Sequence, residues 1–340
     1  METKVLLPTR KNIETVGAAL KGGALVGIPT ETVYGLAANA LDGAAVKNIF
    51  AAKGRPADNP LIVHISDISQ IARFSLVREI PESAKKLMEA YWPGPLTIIM
   101  KKGVVPDEVT AGLDTVAVRF PSHPVTKRII TAASVPLAAP SANTSGKPSP
   151  TTAYHVFHDL SGKIPYIIDG GACEVGVEST VITVAGDTPT LLRPGGITLP
   201  QLEAAVGHVD VADAVLNKLR DGETAASPGM KYKHYAPSAR IVLIRSGDEA
   251  YINYVNERAA KGTAALCYDE DAPRLRVKTY TYGAKNDYAA QSNRLFTVLR
   301  AIDSDGVKTV YGRCPETTGL AMAVYNRLIR AAGFEVIELA

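Results

Sequence analysis

The stretch Ala24-Leu25-Val26-Gly27-Ile28-Pro29-Thr30-Glu31-Thr32-Val33-Tyr34-Gly35-Leu36 carries the reading of the fold. Residues 24–28 form a short apolar run suited to a buried strand, and it runs straight into Pro29 and a loop of hydroxyl and carboxyl groups. The same arrangement recurs three times in the first half of the chain. Lys53-Gly54-Arg55-Pro56 with Asn59-Pro60 and His64, then Arg119-Phe120-Pro121, then Pro140-Ser141-Ala142-Asn143 each follow or interrupt an apolar stretch. Each puts cationic, hydroxyl or amide groups where a loop can present them. As a set they describe a site for a polyanion beside a small polar molecule.

Working outward, Asn12 can cap a helix whose apolar face is Ile13, Val16 and Leu20 and which stops at Gly22-Gly23. A second helix is predicted over 43–52, with Val46, Ile49 and Phe50 facing inward, and a strand over 61–65. Pro81 opens a helix with the stripe Ala84, Leu87, Met88 and Tyr91, and Trp92-Pro93-Gly94-Pro95 ends it before a strand at 96–100. Strands at 115–120, 135–139, 166–168, 180–184 and 191–193 and helices at 125–133, 152–159 and 200–206 complete a mixed sheet of about seven strands. The fold class is therefore α/β, with an open, mixed-sheet domain over 1–206.

Residues 207–238 read as a linker, Ala-rich and charged at first and then bounded by Pro228 and Pro237, which deny it a regular helix. Within it, Lys231-Tyr232-Lys233-His234-Tyr235 packs aromatic and cationic groups into a strip unlike an ordinary Gly/Ser tether, which suits an active-site lid. From 239 to 340 strand and helix patterns alternate with short connections, which predicts a second, smaller α/β domain on a parallel sheet.

Composition narrows the function classes. A chain of 340 residues exceeds the size at which a single core keeps growing, so two domains are expected. With 46% hydrophobic and 21% charged residues it has the balance of a soluble α/β protein. A net charge of +3 cannot make the whole surface a nucleic-acid binder, so an anion site must come from local clustering. No apolar run approaches the ~20 residues of a membrane span, and no signal peptide is read at the start. Cys173, Cys267 and Cys314 are too few and too scattered for a disulfide framework or a structural zinc site, and a cytoplasmic location is expected. The six histidines are dispersed, so no metal-ligating residues are assigned.

Pro56 forces Arg55 out of helical geometry and lets Lys53 and Arg55 reach one side of a loop. Alone, such a pair reads first as two solvated surface charges. Arg119 ends the apolar strand Val116-Ala117-Val118, so it calls for an anionic partner, and Arg193 repeats the arrangement between Leu191-Leu192 and Pro194-Gly195-Gly196. Each arginine alone suits a structural ion pair as well as a ligand; together with Lys53 and Arg55 they offer donors for phosphate and carboxylate oxygens. Ser141 and Asn143, followed by Ser149, supply donors for phosphates or ribose, or only a local turn. Gly176-Val177-Glu178-Ser179-Thr180 is open to a hairpin loop or to close approach of a ligand. No Walker-type phosphate loop, dinucleotide fingerprint, nucleophile elbow or zinc-protease helix is present.

These motifs, in this order, resemble the YrdC-like threonylcarbamoyl-adenylate synthases in their two-domain form. The resemblance runs over essentially the whole chain, through Pro-Thr-Glu-Thr-Val-Tyr-Gly-Leu, Lys-x-Arg-Pro-x-x-Asn-Pro-Leu, Trp-Pro-Gly-Pro-Leu-Thr, Val-Ala-Val-Arg, Ala-Pro-Ser-Ala-Asn and Gly-Val-Glu-Ser-Thr. It implies an open, twisted YrdC-like catalytic domain with a large basic concave face, followed by a Rossmann-like domain. The implied reaction joins L-threonine, bicarbonate or CO2, and ATP into threonylcarbamoyl-AMP with release of pyrophosphate. Partner proteins then transfer the group to the adenosine beside the anticodon of tRNAs reading A-starting codons. By similarity, threonine is expected near Thr32, His64, Arg119 and Ser179, with Arg119 on its carboxylate. ATP is expected near Lys53, Arg55, Asn59, Thr115, Ser141, Asn143, Ser149 and Arg193, with Lys53 and Arg55 catalytic and Tyr232 reaching back from the linker. Mg2+ accompanies the ATP, and no tightly bound organic cofactor is expected. Two other classes stay open: a module that binds tRNA or double-stranded RNA, and a carbamoyltransferase of the hydrogenase-maturation type, whose additional zinc motifs this chain lacks.

Overall fold

The computed structural model describes residues 1–217 and 235–339. The first strands and helices are β1 (Lys4–Leu6), α1 (Arg10–Lys21), β2 (Val26–Ile28), β3 (Gly35–Asn39), α2 (Gly43–Lys53), β4 (Ile62–His64), α3 (Ser69–Arg73) and α4 (Glu82–Tyr91). Then come β5 (Leu96–Lys101), α5 (Asp107–Thr110), β6 (Thr115–Arg119), α6 (Pro124–Ala133), β7 (Leu137–Ala138) and α7 (Ala153–Leu160). The first half closes with β8 (Tyr166–Ile168), β9 (Thr180–Thr183), β10 (Thr190–Arg193), α8 (Leu199–Val206) and β11 (Asp210–Val211). They build one mixed sheet in the order β1-β8-β2-β3-β7-β4-β6-β5-β9-β10-β11.

Eleven strands replace the expected seven or so. The main omission is β3, whose Gly35-Leu36-Ala37-Ala38-Asn39 has no β-branched residue. It is extended because it pairs antiparallel with β2 on one side and β7 on the other. Neighbouring strands, not local preference, decide it. The first helix starts three residues earlier than expected, because Thr9 rather than Asn12 is the cap and its hydroxyl accepts the Asn12 N–H. Its buried stripe Ile13, Val16, Gly17 and Leu20 packs on α6 so closely that a side chain at Gly17 would meet Ala132 at 2.7 Å. Asp42 caps α2 through the Ala44 and Ala45 N–H groups, and Gly54 ends it in the left-handed conformation, φ 61°.

The second part contains β12 (Arg240–Arg245), α9 (Asp248–Glu257), β13 (Thr263–Cys267), β14 (Lys278–Thr281), α10 (Tyr288–Ser304), β15 (Thr309–Arg313), α11 (Ala321–Ala331) and β16 (Val336–Glu338). Its sheet is parallel throughout, in the order β14-β13-β15-β12-β16. Helix α9 covers one face with Tyr251, Ile252 and Val255, while α10 and α11 cover the other with Leu295, Phe296, Val324 and Leu328. Val33 and Val177 from the first half join this second core, so the two halves share apolar contacts. Asn326 and Arg330 of α11 add bonds to the carbonyls of Val215 and Ala214, at 2.7 and 2.6 Å. No helix among the described residues is long and apolar enough to cross a membrane.

Candidate active site

A cavity on the large sheet is lined by the ends of β4, β6 and β10 and by the loops after β2 and β7. Ile62 and His64, two apart on β4, point to this same side. Among the described residues, five basic side chains line it, Lys53, Arg55, Arg119, Lys147 and Arg193, against one carboxylate, Glu178. That excess of cationic donors suits a polyanion.

One half of the cavity is a hydroxyl and guanidinium cluster. Arg119 Nη1 donates to Thr32 Oγ1 at 2.9 Å, and Thr30 and Thr32 share a hydrogen bond of 2.8 Å. Ser179 Oγ lies 2.8 Å from Thr97 Oγ1 and accepts from Arg193 Nη2 at 3.2 Å. The anionic partner that Arg119 needed comes from the chain itself: Glu31 Oε1 sits 2.7 Å from its Nη2, both side chains buried. Burial works to raise the Glu31 carboxyl, but the Arg119 charge and hydrogen bond hold it below the usual carboxylate range.

His64 is neutral there. Burial, and then the Arg119 charge, pull its imidazole down to about 3, while Nδ1 lies 3.1 Å from the Ile62 carbonyl. Because the folded value is depressed, this contribution to stability is complete above an unfolded value of about 6.5 and is lost as pH falls toward 3. At pH 4.5, about two units below the unfolded value, the penalty is about 3 kcal/mol at ~1.4 kcal/mol per unit. His64→Asn should therefore lose less stability than the parent between pH 7 and pH 4.5 in urea titrations. Equal losses would refute this assignment.

The other half is built around Lys53. As the last residue of α2 it is turned inward, and Gly54 rather than Pro56 makes the bend that brings Arg55 to the same cavity. Lys53 Nζ donates to the carbonyls of Ser141 and Asn143, the latter at 2.6 Å, and reaches Asn143 Oδ1 at 3.4 Å. Burial, then the nearby Arg55 charge, pull it well below the usual lysine value, while the oxygens around it favour keeping the proton. Ser141 Oγ donates to Asn143 Oδ1 at 2.6 Å, so this turn is a bonded unit held by the ammonium. Arg55 lies above it, with Nη2 3.3 Å from the Asn59 carbonyl. Burial draws the Arg193 guanidinium down to about 10, still charged at neutral pH.

The second half of the chain backs this wall. Glu178 is ion-paired at 2.9 Å with Arg327 of α11, whose side chain is 0% exposed, and accepts a short hydrogen bond from Ser149. Burial favours a raised Glu178 value, but Arg327 and then Arg193 hold it low. Arg327 also donates to the carbonyls of Glu178 and Pro194. Gly176, at φ 80°, passes so close to α10 that a side chain there would meet the Asn293 backbone at 2.3 Å. Tyr235, the first described residue after 234, lines the cavity with its ring on Phe296 at 5.2 Å, and the Ala236 N–H donates to the Gly146 carbonyl.

Of the residues singled out from sequence, Thr32, Lys53, Arg55, His64, Arg119, Ser141, Asn143, Ser179 and Arg193 come together at the cavity. Asn59 and Ser149 are buried behind its wall. Thr115 is not among the lining residues. It begins β6, four residues or roughly 13 Å from Arg119 along the strand. Ile62, Ala117, Leu192 and Ala214 pack together on this part of the sheet, a cluster of sequence-distant residues that no local pattern revealed. Tyr232 lies outside the described residues. Sequence reasoning passed over Glu31, Lys147, Tyr235 and Arg327. Glu31 and Glu178 were inside quoted motifs, and as charges in apolar surroundings they were the available signal.

The profile of the Sua5/YciO/YrdC family, described as telomere recombination, matches residues 18–195, and that of the threonylcarbamoyl-AMP synthase C-terminal domain matches residues 197–333. The threonylcarbamoyl-AMP synthase of Pyrococcus abyssi is 43% identical over 350 residues, covering 98% of this chain and 99% of the relative. That of Bacillus subtilis is 44% identical over 331 residues, 96% and 94% of the two chains. The crystal structure of P. abyssi Sua5 complexed with L-threonine has a TM-score of 0.91 at 43% identity and covers 100% of both chains. The chain belongs to the Sua5 family of threonylcarbamoyl-AMP synthases.

Proposed function

We propose that the protein combines L-threonine, bicarbonate or CO2, and ATP into threonylcarbamoyl-AMP and pyrophosphate, for modification of the adenosine beside the anticodon of tRNA. The observation that carries this reading is the two-sided cavity, with hydroxyls and Arg119 on one side and Lys53, Arg55 and Arg193 on the other. The threonine complex of the P. abyssi relative supports the amino-acid half. In the same proposal the catalytic domain is 1–206, the linker 207–238 and the Rossmann-like domain 239–340.

The amine nitrogen of threonine forms a bond to the carbon of CO2 and loses a proton, giving a carbamate. A carbamate oxygen then attacks the α-phosphorus of ATP, and the bond from that phosphorus to the bridging oxygen breaks as pyrophosphate leaves. No side chain needs to become a covalent intermediate. Holding three reactants together supplies much of the acceleration, and cationic donors stabilise charge on the phosphates. Threonine fits the side of Thr32, His64, Arg119 and Ser179, where Arg119, already shared with Glu31, can turn a further N–H toward a carboxylate. The phosphates fit Lys53, Arg55 and Arg193. Mg2+ would neutralise phosphate charge. Among the described residues no group of three or more His, Cys, Asp or Glu gathers to hold it, and the single lining carboxylate is tied to Arg327. The lining therefore suits a metal carried by the nucleotide.

The direct test is pyrophosphate release from ATP with threonine and bicarbonate, each omitted in turn. Salt-sensitive RNA binding without pyrophosphate release would favour the RNA-binding reading instead. Arg55→Ala should raise KM for ATP about ten- to a hundred-fold, the equivalent of ~1.5–3 kcal/mol for a lost charge-assisted bond, with the fold intact. An unchanged KM would return Arg55 to the surface.

Substrate choice gives a second check. Valine lacks the threonine hydroxyl and would put a methyl where that hydroxyl meets the buried, polar Thr32 and Ser179 side, so it should be rejected strongly. Serine, which lacks only the methyl, should be a weaker but measurable substrate. Valine-dependent pyrophosphate release close to that with threonine would sink this pocket assignment.

A further inference from the structure

Three polar residues of α10, Asn293, Thr297 and Arg300, are spaced four and three apart and so share one face of the helix. That face meets the first half of the chain. Asn293 donates to the carbonyls of Cys173 and Glu174, and Thr297 Oγ1 lies 3.2 Å from Thr151 Oγ1. Arg300 makes the most extensive contact. Its Nη1 and Nη2 fork onto the Asp159 carboxylate at 3.0 and 2.9 Å, and Nη2 also donates to the Pro148 carbonyl at 2.6 Å. Side-chain exposures are 11% for Arg300 and 1% for Asp159, so this pair is shielded from solvent.

Asp159 does not line the cavity, yet it holds the loop that does. Its Oδ2 accepts the Thr144 N–H at 3.1 Å, and its carbonyl accepts from Thr144 Oγ1 at 3.2 Å. The next bonds reach the lining itself. Asn143 Nδ2 donates to the carbonyls of Thr144 and Lys147, Lys53 grips the Asn143 carbonyl, and the Ser145 N–H donates to the Lys53 carbonyl. A second tie from the same helix joins Asp303 to Lys147 at 3.6 Å. The loop 143–148, which presents Asn143, Ser145 and Lys147 to the cavity, is thus tied from outside chiefly through the Arg300 guanidinium, with Asp303 as a second tie.

We propose that Arg300 is a positioning residue for the nucleotide half of the cavity, acting through Asp159 to hold the 143–148 loop in its ATP-binding geometry. This rests on the assignment of that half to ATP. The bonds Arg300 makes among the described residues go to Asp159 and Pro148, and Thr30, Thr32, Arg119 and Ser179 are supported by other contacts. The role is therefore selective. A strut that only joined the two halves would weaken both ligands alike.

The test uses the full-length protein with Arg300→Gln, Arg300→Lys, Asp159→Asn and the Arg300→Gln/Asp159→Asn double variant. ATP with Mg2+ and L-threonine are each titrated calorimetrically, and both KM values are taken from pyrophosphate release. Arg300→Gln should weaken ATP about tenfold or more, while threonine affinity changes less than about twofold. Lysine, which cannot fork, should rescue only part of the loss. The double variant should be no worse than Asp159→Asn, because the two act as one unit. Parallel weakening of both ligands, or a lower melting midpoint with unchanged ATP affinity, would overturn the proposal. Hydrogen exchange of the ligand-free protein separates this from the assigned reaction: Arg300→Gln should speed exchange at the Thr144 amide. Unchanged exchange there overturns the clamp, whereas a parent protein without pyrophosphate release overturns the reaction instead.

Discussion

Arg327→Met should lower the unfolding free energy of the full chain by about 3–5 kcal/mol, the range for breaking one side of a buried ion pair. The methionine fills much of the space, so the loss is electrostatic. Glu178 would keep its burial penalty and lose the charge that most strongly holds its carboxyl low. The carbonyls of Glu178 and Pro194 would lose a donor as well. Glu178→Gln combined with Arg327→Met should recover part of the loss, because no uncompensated charge is left behind. Urea titration followed by circular dichroism measures both. A single variant within about 1 kcal/mol of the parent would show that Arg193 alone can balance Glu178, contrary to the geometry described.

Lys53→Met should reduce threonine-dependent pyrophosphate release by at least about a hundred-fold, since two charge-assisted bonds at ~1.5–3 kcal/mol each are lost together. The side chain is 1% exposed and holds the 141–143 turn, so its loss moves Ser141 and Asn143 as well as removing a cation. This separates it from Arg55, which turns at the cavity rim and whose loss should act on ATP alone. Lys53→Met should also lower stability, because buried carbonyls go unpaired, whereas Arg55→Ala should not. Turnover within about tenfold of the parent would rule out the turn-holding role.

The helices with a clear apolar stripe were legible. Ile13, Val16 and Leu20 of α1 and Ala84, Leu87 and Met88 of α4 recur at helical spacing, and all six are buried. Strands with β-branched cores, such as Thr115–Arg119, were legible for the same reason. β1 and β3 were not. Lys4-Val5-Leu6 is a short strand at the edge of the sheet, held by β8, and β3 is a run of small residues made extended by β2 and β7. Pairing with a neighbouring strand, whether β8 some 160 positions away or β2 only about ten away, leaves no periodic trace in the segment it makes extended.

The sequence by itself determined which groups are available and in what order: strand ends carrying Arg119 and Arg193, a helix end carrying Lys53, and a Ser-x-Asn turn. Those follow from side-chain chemistry and short-range spacing. Tertiary structure decided their partners. It gave Arg119 an internal carboxylate at Glu31 and directed Lys53 onto the carbonyls of Ser141 and Asn143. It also brought Arg300 to Asp159 across 141 positions and Arg327 to Glu178 across 149. The need of a buried charge for a counter-charge is local, and so it is readable in a chain. Which counter-charge answers depends on how helices of one half pack against loops of the other, and only the folded molecule fixes that.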